Sequence, residues 1–468
     1  MKRDLKEQLL QARDLALDHA RPEAVARVHA SGHLTARERI RALLDPGSEI
    51  EIGILQGKAD WGWVHTTGGV DFFGTVNGRP VVASSTDYSD HGGGYGAGYL
   101  ARLFSLARQH RWPVILFSDG GGSRAQSLEG TGAEFKRLQG RYPGGTGFFE
   151  GLAALAGWVP LIAVVAGRSF AGHATLAAFC DVIIATKGSA IGMGGPPMVE
   201  AAFGIKISPT ELGPVEMHER IGGIDLLVED EPAAIDAAKR VLAYHYDEPT
   251  GPAPADTSYF DEVISSDGTY DMRRLLAALV DEGSLLELRP AFARSVITAF
   301  ARMDGRTVGI LANQPLSEVR GAITEHAADK IARFVQQCNS HGIPILSIID
   351  TPGCTVTDQE GEQRPGISRH HARPVRAFHH RSVPLISVQV GKASGMGACA
   401  MSGIGSAHSL PVLRLAWPTA AIGVEDQYSQ GFDDVVLPEE TREKILKVLR
   451  MVGPRTLPAE KARPRDSW

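Results

Sequence analysis

The sequence predicts an α/β protein made of two copies of one domain, and three observations predict it. Strand-like and helix-like segments alternate with short loops, the pattern of a largely parallel sheet covered by helices. Several segments occur twice in the same order. WPVILFSDGGG (112–122) pairs with IPILSIIDTPG (343–353), and VPLIAVVAGRSFAGHA (159–174) with VPLISVQVGKASGMGA (383–398). LLDPGSEIEI (43–52) pairs with LVDEGSLLEL (279–288), and NGRPVV (77–82) with DGRTVG (304–309). The offset stays at roughly 225–235 residues, far above the roughly 20–50 of a solenoid repeat, so a whole domain is duplicated.

The elements follow from local pattern. Residues 1–30 read as a helix, with Leu5, Leu9 and Leu10 near one face. TARERIRALL (35–44) reads as a second, with Thr35 as its N-cap. RPVVAS (79–84) and PVILF (113–117) are strand-like, and AGYLARLFSLARQH (97–110) between them is helical. PLIAVVA (160–166) has the continuous apolar character of a strand buried on both faces. A helix follows the turn at 171–172, and DVIIA (181–185) is a short strand. YDEPTGPAPADT (246–257) is a linker, rich in Pro and Gly and without periodicity. The pattern then restarts: ADKIARFVQQCNSH (328–341) is a helix, PILSII (344–349) and PLISVQV (384–390) are strands, and a second small-residue turn follows. The expected domains are 1–250 and 258–455, with residues 456–468 as a disordered tail.

Composition narrows the function. The chain has 468 residues, a net charge of −6 and a pI near 6.3, which argues against a dedicated nucleic-acid binder. Its four cysteines form no CxxC pair, so neither a Cys-type zinc site nor a disulfide framework is expected. The N-terminal segment is charged and lacks the apolar stretch of a signal peptide, and no run reaches a membrane span. A cytoplasmic location is the expectation.

Chemistry points to the two small-residue turns. Each follows a buried strand and opens a helix: Ala171-Gly172-His173 in the first copy, Gly395-Met396-Gly397 in the second. A helix start exposes N–H groups that have no intrahelical partner, and the helix dipole adds positive potential. Two convergent N–H groups make an oxyanion hole, suited to a thioester carbonyl that becomes an enolate. Tight strand–helix packing explains either turn equally well when taken singly. A second turn precedes each: Gly120, Gly121, Gly122, Ser123 and Arg124 after one strand, Gly353 after the other. Such loops cradle phosphates or ligand backbones, or serve only as crossovers. Asp119 and Asp350 match across the copies and read as turn residues rather than general bases. RPGISRHHARPVRAFHHR (364–381) holds five Arg, four His and no acid, either an anion-attracting patch or a solvated helix face. No third ligand accompanies His370 and His371, and no nucleophile motif of the GxSxG type is present.

Several motifs resemble those of the carboxyltransferase family, the β subunits of biotin-dependent acyl-CoA carboxylases. LTARERIRALLDPGSEIEIG (34–53), SDGGGSRAQ (118–126), FARMDGRTVGILANQP (300–315), IIDTPG (348–353), AWPTAAIGV (416–424) and GFDDVVLPEETREKI (431–445) carry the likeness over nearly the whole chain. FAGHATLAAFCDVIIA (170–185) also resembles the helix that follows an oxyanion hole in crotonase enzymes.

The resemblance implies an α/β fold of two tandem crotonase-like (ClpP/crotonase) domains, with active sites formed between the N-domain of one subunit and the C-domain of another. It implies transfer of CO2 from N-carboxybiotin to the α-carbon of an acyl-CoA through an enolate. The first hole, Gly172 with His173, serves the thioester. The second, Met396 with Gly397, serves the biotin ureido group. Gly121, Gly122, Ser123, Arg124, Ala171 and Gly353 are the implied substrate-binding positions, and Cys399 falls on the acyl-discriminating one. Biotin then arrives on a carrier, with biotin carboxylase as a partner, and the chain is a homo-oligomer, up to a hexamer, without a metal. Three features depart from the family: His173 and Met396 stand where Gly is usual, and a segment of about 40 residues is missing between Val424 and Gly431. They leave room for a biotin-independent acyl-CoA decarboxylase or crotonase-like lyase with His173 as acid, and for a non-catalytic assembly subunit.

Overall fold

In the computed structural model, residues 3–55, 68–89, 93, 100–121, 148–249, 251–254, 256–266, 268–356, 358, 366–403, 410–420 and 431–458 are described. The chain divides into two compact units, Met1–Leu242 and Ala243–Trp468. Each contains a seven-stranded mixed sheet.

In unit 1 the spatial order is β1 (Ile50–Ile52), β2 (Gly69–Val76), β3 (Arg79–Thr86), β4 (Val114–Phe117), β5 (Leu161–Val165), β7 (Val182–Thr186) and β9 (Leu226–Val228). The short strands β6 (Arg168–Phe170) and β8 (Ala190–Gly192) pair with each other. Unit 2 repeats the order as β10 (Leu286–Leu288), β11 (Val296–Met303), β12 (Arg306–Asn313), β13 (Ile345–Thr351), β14 (Leu385–Ala393), β15 (Leu413–Ala416) and β16 (Asp434–Val435). In both, the first three strands are antiparallel and the rest parallel. The parallel strands β4, β5, β7 and β13 are buried along their length, which is why they read as largely apolar runs.

The recurring LxDxGS motif has a structural cause. β2 and β3 are joined by Asn77-Gly78, and β11 and β12 by Asp304-Gly305, all four with φ between 51° and 76°. These are the two-residue turns that match strand twist. A carboxylate clamps each turn. Asp45 accepts the Asn77 and Gly78 N–H groups at 2.9 and 2.8 Å; Asp281 accepts those of Asp304 and Gly305 at 3.0 and 2.9 Å.

The N-terminal segment differs from the single helix expected over 1–30. Helices Arg3–Asp14 and Pro22–Ala30 are separated by a short 3-10 turn at Asp18–Ala20. Pro22 has no N–H to continue a helix and is suited to begin one. The TARERI segment forms Ala36–Leu43, capped reciprocally by Thr35 and Glu38. Its Arg37 holds Asp18 at 3.0 Å and Glu51 at 2.6 Å, so the motif ties the N-terminal segment to the sheet edge.

Each unit has its own apolar core. Leu103, Phe104, Leu116, Leu152, Leu161 and Val165 anchor the first, and Met272, Leu276, Ile310, Ile348, Trp417 and Ile445 the second. Trp417 is fully buried and its indole N–H donates to Thr441 Oγ1 at 2.8 Å. No helix among the described residues is long and apolar enough to cross a membrane.

Candidate active site

The first turn is built from β6 and the helix Gly172–Ala178. The Ala171 N–H donates to Gly192 O at 2.9 Å, which leaves Gly172 and His173 to open the helix. Ala171 has φ 52° and ψ −118°, an unfavourable conformation for a residue with a β-carbon. The glycine loop lies against this turn: Gly120 N–H donates to Arg168 O at 2.5 Å and Phe170 N–H to Gly120 O at 3.0 Å. Gly121 faces open space, since a β-carbon there would meet nothing within 4 Å. Gly122, Ser123 and Arg124 lie outside the described residues.

His173 is buried, 3% exposed, and its Nε2 donates to Gly93 O at 2.8 Å. Its ring covers Gly120 so closely that a β-carbon there would fall 2.3 Å from Cε1. Burial lowers its pKa, opposed by the Gly93 hydrogen bond and by Asp119. A neutral ring whose Nε2 proton is engaged by a carbonyl serves to hold the turn and the glycine loop together.

The loop itself hangs on Asp119, which is buried. Its Oδ1 accepts the Ala166 and Gly167 N–H groups at 3.1 and 3.0 Å, and its own N–H donates to Thr86 Oγ1 at 2.8 Å. Its Oδ2 pairs with Arg39 at 2.7 Å. Arg39 also binds Glu231 at 2.7 and 3.1 Å, and Glu231 in turn accepts His33 Nδ1 at 2.7 Å. Burial opposes ionisation of Glu231, yet the hydrogen bonds from His33 and Arg39 bring its pKa down to about 2. Burial likewise works against the Arg39 charge, but Asp119 and Glu231 raise its pKa well above the usual value.

Unit 2 repeats the design. The second turn joins β14 to the helix Gly395–Ser402. Asp350 accepts the Lys392 N–H at 2.8 Å, donates its own N–H to Asn313 Oδ1 at 3.1 Å, and accepts the Tyr270 hydroxyl at 2.9 Å. Burial raises the Asp350 pKa, and the Lys392 and Tyr270 hydrogen bonds oppose the rise. Thr86 and Asn313 thus hold corresponding aspartates; Asp119 follows the end of β4, as a turn residue would, whereas Asp350 is the penultimate residue of β13 rather than the turn residue expected. Gly93 and Gly321 correspond too: a β-carbon would come within 2.7 Å of Asp119 O in one case and 2.6 Å of Asp350 O in the other.

Gly353, Met396 and Gly397 come together. A β-carbon on Gly397 would lie 2.6 Å from Gly353 Cα, so the loop and the helix start touch backbone to backbone. Met396 is 54% exposed, and the space beside Gly395 is open. Cys399 lies two residues further along the helix and is half-buried. The basic segment forms the helix Ile367–His379, in which His370 and Arg373 both pair with buried Asp329. Among the described residues, no group of three or more His, Cys, Asp or Glu is arranged to hold a metal.

The supports of both turns, Arg39, Glu231, Thr86, Tyr270 and Asn313, were not singled out by the sequence reading. Arg39 sits in the TARERI motif and Asn313 in the motif ending LANQP, so the signal was at hand for those two.

The carboxyl transferase domain family matches residues 27–426. The methylmalonyl-CoA carboxyltransferase 12S subunit of Propionibacterium freudenreichii subsp. shermanii is 32% identical over 522 residues, covering 97% of this chain and 96% of the relative. That alignment is longer than the chain itself, so the relative carries segments absent here. The propionyl-CoA carboxylase beta chain of Roseobacter denitrificans is 31% identical over 451 residues, covering 90% of this chain and 84% of the relative. A transcarboxylase 12S crystal structure with methylmalonyl-CoA and methylmalonic acid bound has a TM-score of 0.84 at 30% identity, covering 98% of both chains. Its two tandem crotonase-like domains account for the paired sheets. On the family match and on relatives that span almost the whole length, this chain belongs to the carboxyl transferase domain family and is a carboxyltransferase component of the biotin-dependent acyl-CoA carboxylase and transcarboxylase class.

Proposed function

We propose that the chain moves a carboxyl group between biotin, borne by a separate carrier protein, and the α-carbon of an acyl-CoA, with one turn for each reactant. Region 1–250 handles the acyl-CoA and region 258–455 the biotin. The single observation behind this division is the correspondence of the two turns: the same strand–turn–helix, each seated on a buried aspartate.

At the first turn, the Gly172 and His173 N–H groups receive the thioester oxygen as it gains charge on enolisation. The gain from such preorganised donors is largest where water is excluded. Ala171 sets their direction, and the open space at Gly121 leaves room for the pantetheine arm. At the second turn, the Met396 and Gly397 N–H groups hold the biotin ureido oxygen. Biotin, when bound, supplies the nitrogen that carries or accepts the carboxyl group. The second turn fits a flat neutral group: it offers helix-start N–H groups, open space beside Gly395 and, at Gly353, a close glycine backbone. Cys399 bounds the acyl chain with a small neutral side chain.

The buried ring of His173 engages Gly93 O, which counts against a histidine acid, one of the two observations that favoured a biotin-independent lyase. A homo-oligomer is supported by exposed apolar side chains beyond β8, where Met193 is 72% and Phe203 74% exposed. The solved 12S protein assembles as a hexamer.

The test is carboxyl release from malonyl-CoA or methylmalonyl-CoA with and without free biotin. Release that requires biotin supports the reading. Equal release without biotin contradicts it.

A further inference from the structure

Two of the four cysteines lie at the second turn. Cys354 follows Gly353 in the loop after β13, and Cys399 is carried by the helix Gly395–Ser402; both are free and half-buried. The loop is pinned in place. Ile323 N–H donates to Gly353 O, and Thr355 N–H donates to Ile323 O, both at 2.9 Å, so Cys354 sits in a bridge with Ile323. The helix meets the loop at Gly397 and Gly353, where a β-carbon on Gly397 would fall 2.6 Å from Gly353 Cα, so the approach depends on the bare backbone of Gly397. One residue beyond Gly353 and two beyond Gly397 stand the two thiols.

The electrostatics of Cys354 agree with this placement. Burial raises its pKa first, and the nearby Cys399 thiol raises it further. Cys180 and Cys338 are fully buried, one in each unit, and Cys338 is held protonated by desolvation. They are closed to oxidants that reach the turn.

We infer that Cys354 and Cys399 are an oxidisable dithiol that closes to an intramolecular disulfide across the second turn, with a hydroperoxide as oxidant. The Cys399 thiolate attacks the peroxide, since burial favours the protonated form of Cys354, the O–O bond breaks, and a sulfenic acid on Cys399 and an alcohol or water form. The second thiol displaces water from the sulfenic acid and the S–S bond forms. In sum, two thiols and one hydroperoxide give one disulfide, one alcohol (or water) and one water. The two sulfurs lose two electrons, which the peroxide oxygens take up, and the thiol protons end on the oxygen products. A disulfide requires Cα atoms within about 6.8 Å, so closure fixes the Cys354 and Cys399 backbones within that separation. Resting on the proposed function, closure takes the Met396 and Gly397 N–H groups out of register with the ureido oxygen.

The test uses the full-length protein, reduced and then exposed to hydrogen peroxide, quenched by alkylation and read by intact mass and peptide mapping. Expected is a mass lower than that of the equally alkylated reduced protein by two alkyl groups together with the loss of about 2 Da, a cross-linked pair of peptides holding Cys354 and Cys399, and full reversal by dithiothreitol. Cys354→Ser and Cys399→Ser each abolish the loss, whereas Cys180→Ser retains it. The inference is overturned if both thiols remain alkylatable after peroxide, or if the 2 Da loss persists in Cys399→Ser. This readout needs no turnover, so it stands apart from the carboxyltransferase reading. Where turnover is measured, the cross-linked form is expected to lose at least about tenfold, restored by dithiothreitol; full turnover by the cross-linked form overturns the link to the working turn.

Discussion

Ala171 and Gly395, which precede the paired N–H groups of the two turns, hold the same backbone angle, φ 52°. Glycine takes this value without strain; alanine does not. The first turn therefore stores strain that the second avoids, at a cost of about 1–3 kcal/mol. Ala171→Gly is expected to stabilise unit 1 by about 1 kcal/mol after the extra chain entropy of glycine is offset. Gly395→Ala is expected to destabilise unit 2 by about 1–2 kcal/mol. Urea unfolding of the two variants checks both signs.

His173 and Gly120 are a matched pair, ring over bare backbone. Gly120→Ala forces the ring off its seat and is expected to cost about 1–3 kcal/mol. His173→Ala leaves a cavity and an unanswered Gly93 carbonyl, at about 2–4 kcal/mol. The double variant places a methyl group where the ring had been. Its cost is expected to fall below the sum of the singles by at least about 1 kcal/mol, whereas strict additivity would mean the contact contributes nothing.

Arg39 joins Asp119 and Glu231, and its side chain is only 6% exposed. Arg39→Gln leaves two buried carboxylates without their cation and is expected to cost about 3–5 kcal/mol. Loss of the glycine loop should accompany it, read as faster hydrogen exchange at Ala166 and Gly167. Unchanged exchange there would separate the ion pair from the loop.

A buried histidine pair gives unit 2 a pH dependence. The rings of His245 and His341 lie 4.7 Å apart. Burial first, then His341 and Arg455, hold the His245 pKa well below its usual value; burial and Arg455 bring His341 down to about 3. In the unfolded chain both take a proton near pH 6.5. Their neutral folded form thus costs nothing above that pH, and stability falls as pH drops below it, by about 1.4 kcal/mol per unit per ring. Asp71, raised to about 6 chiefly by burial, acts in the opposite sense, so the comparison must be differential. Relative to His245→Phe, the wild-type chain is expected to lose about 2 kcal/mol between pH 7.5 and 5. Parallel stability curves would show that His245 titrates normally.

Much of this was legible because duplication doubles every signal. The matched strands, the Asp119–Asp350 correspondence and the Thr35 cap are local patterns, and the structure keeps them. The break at 15–21 was not read, because Pro22 looks like an interruption only once its place at a helix start is known. Long-range partners were illegible for a different reason. Arg39 meets Glu231 across 192 positions and Tyr270 meets Asp350 across 80, and no periodicity encodes such pairings. The role of His173 was undecidable for the same cause, since Gly120 and Gly93 fix it from elsewhere in the chain.

The central claim is that backbone N–H groups at two helix starts perform the transfer. Proline tests it directly, because it deletes one N–H and is tolerated in the first turn of a helix. Gly172→Pro and Met396→Pro should each lower kcat for biotin-dependent carboxyl transfer by about 100–1000-fold, with folding retained. Wild-type turnover in either folded variant would contradict the account.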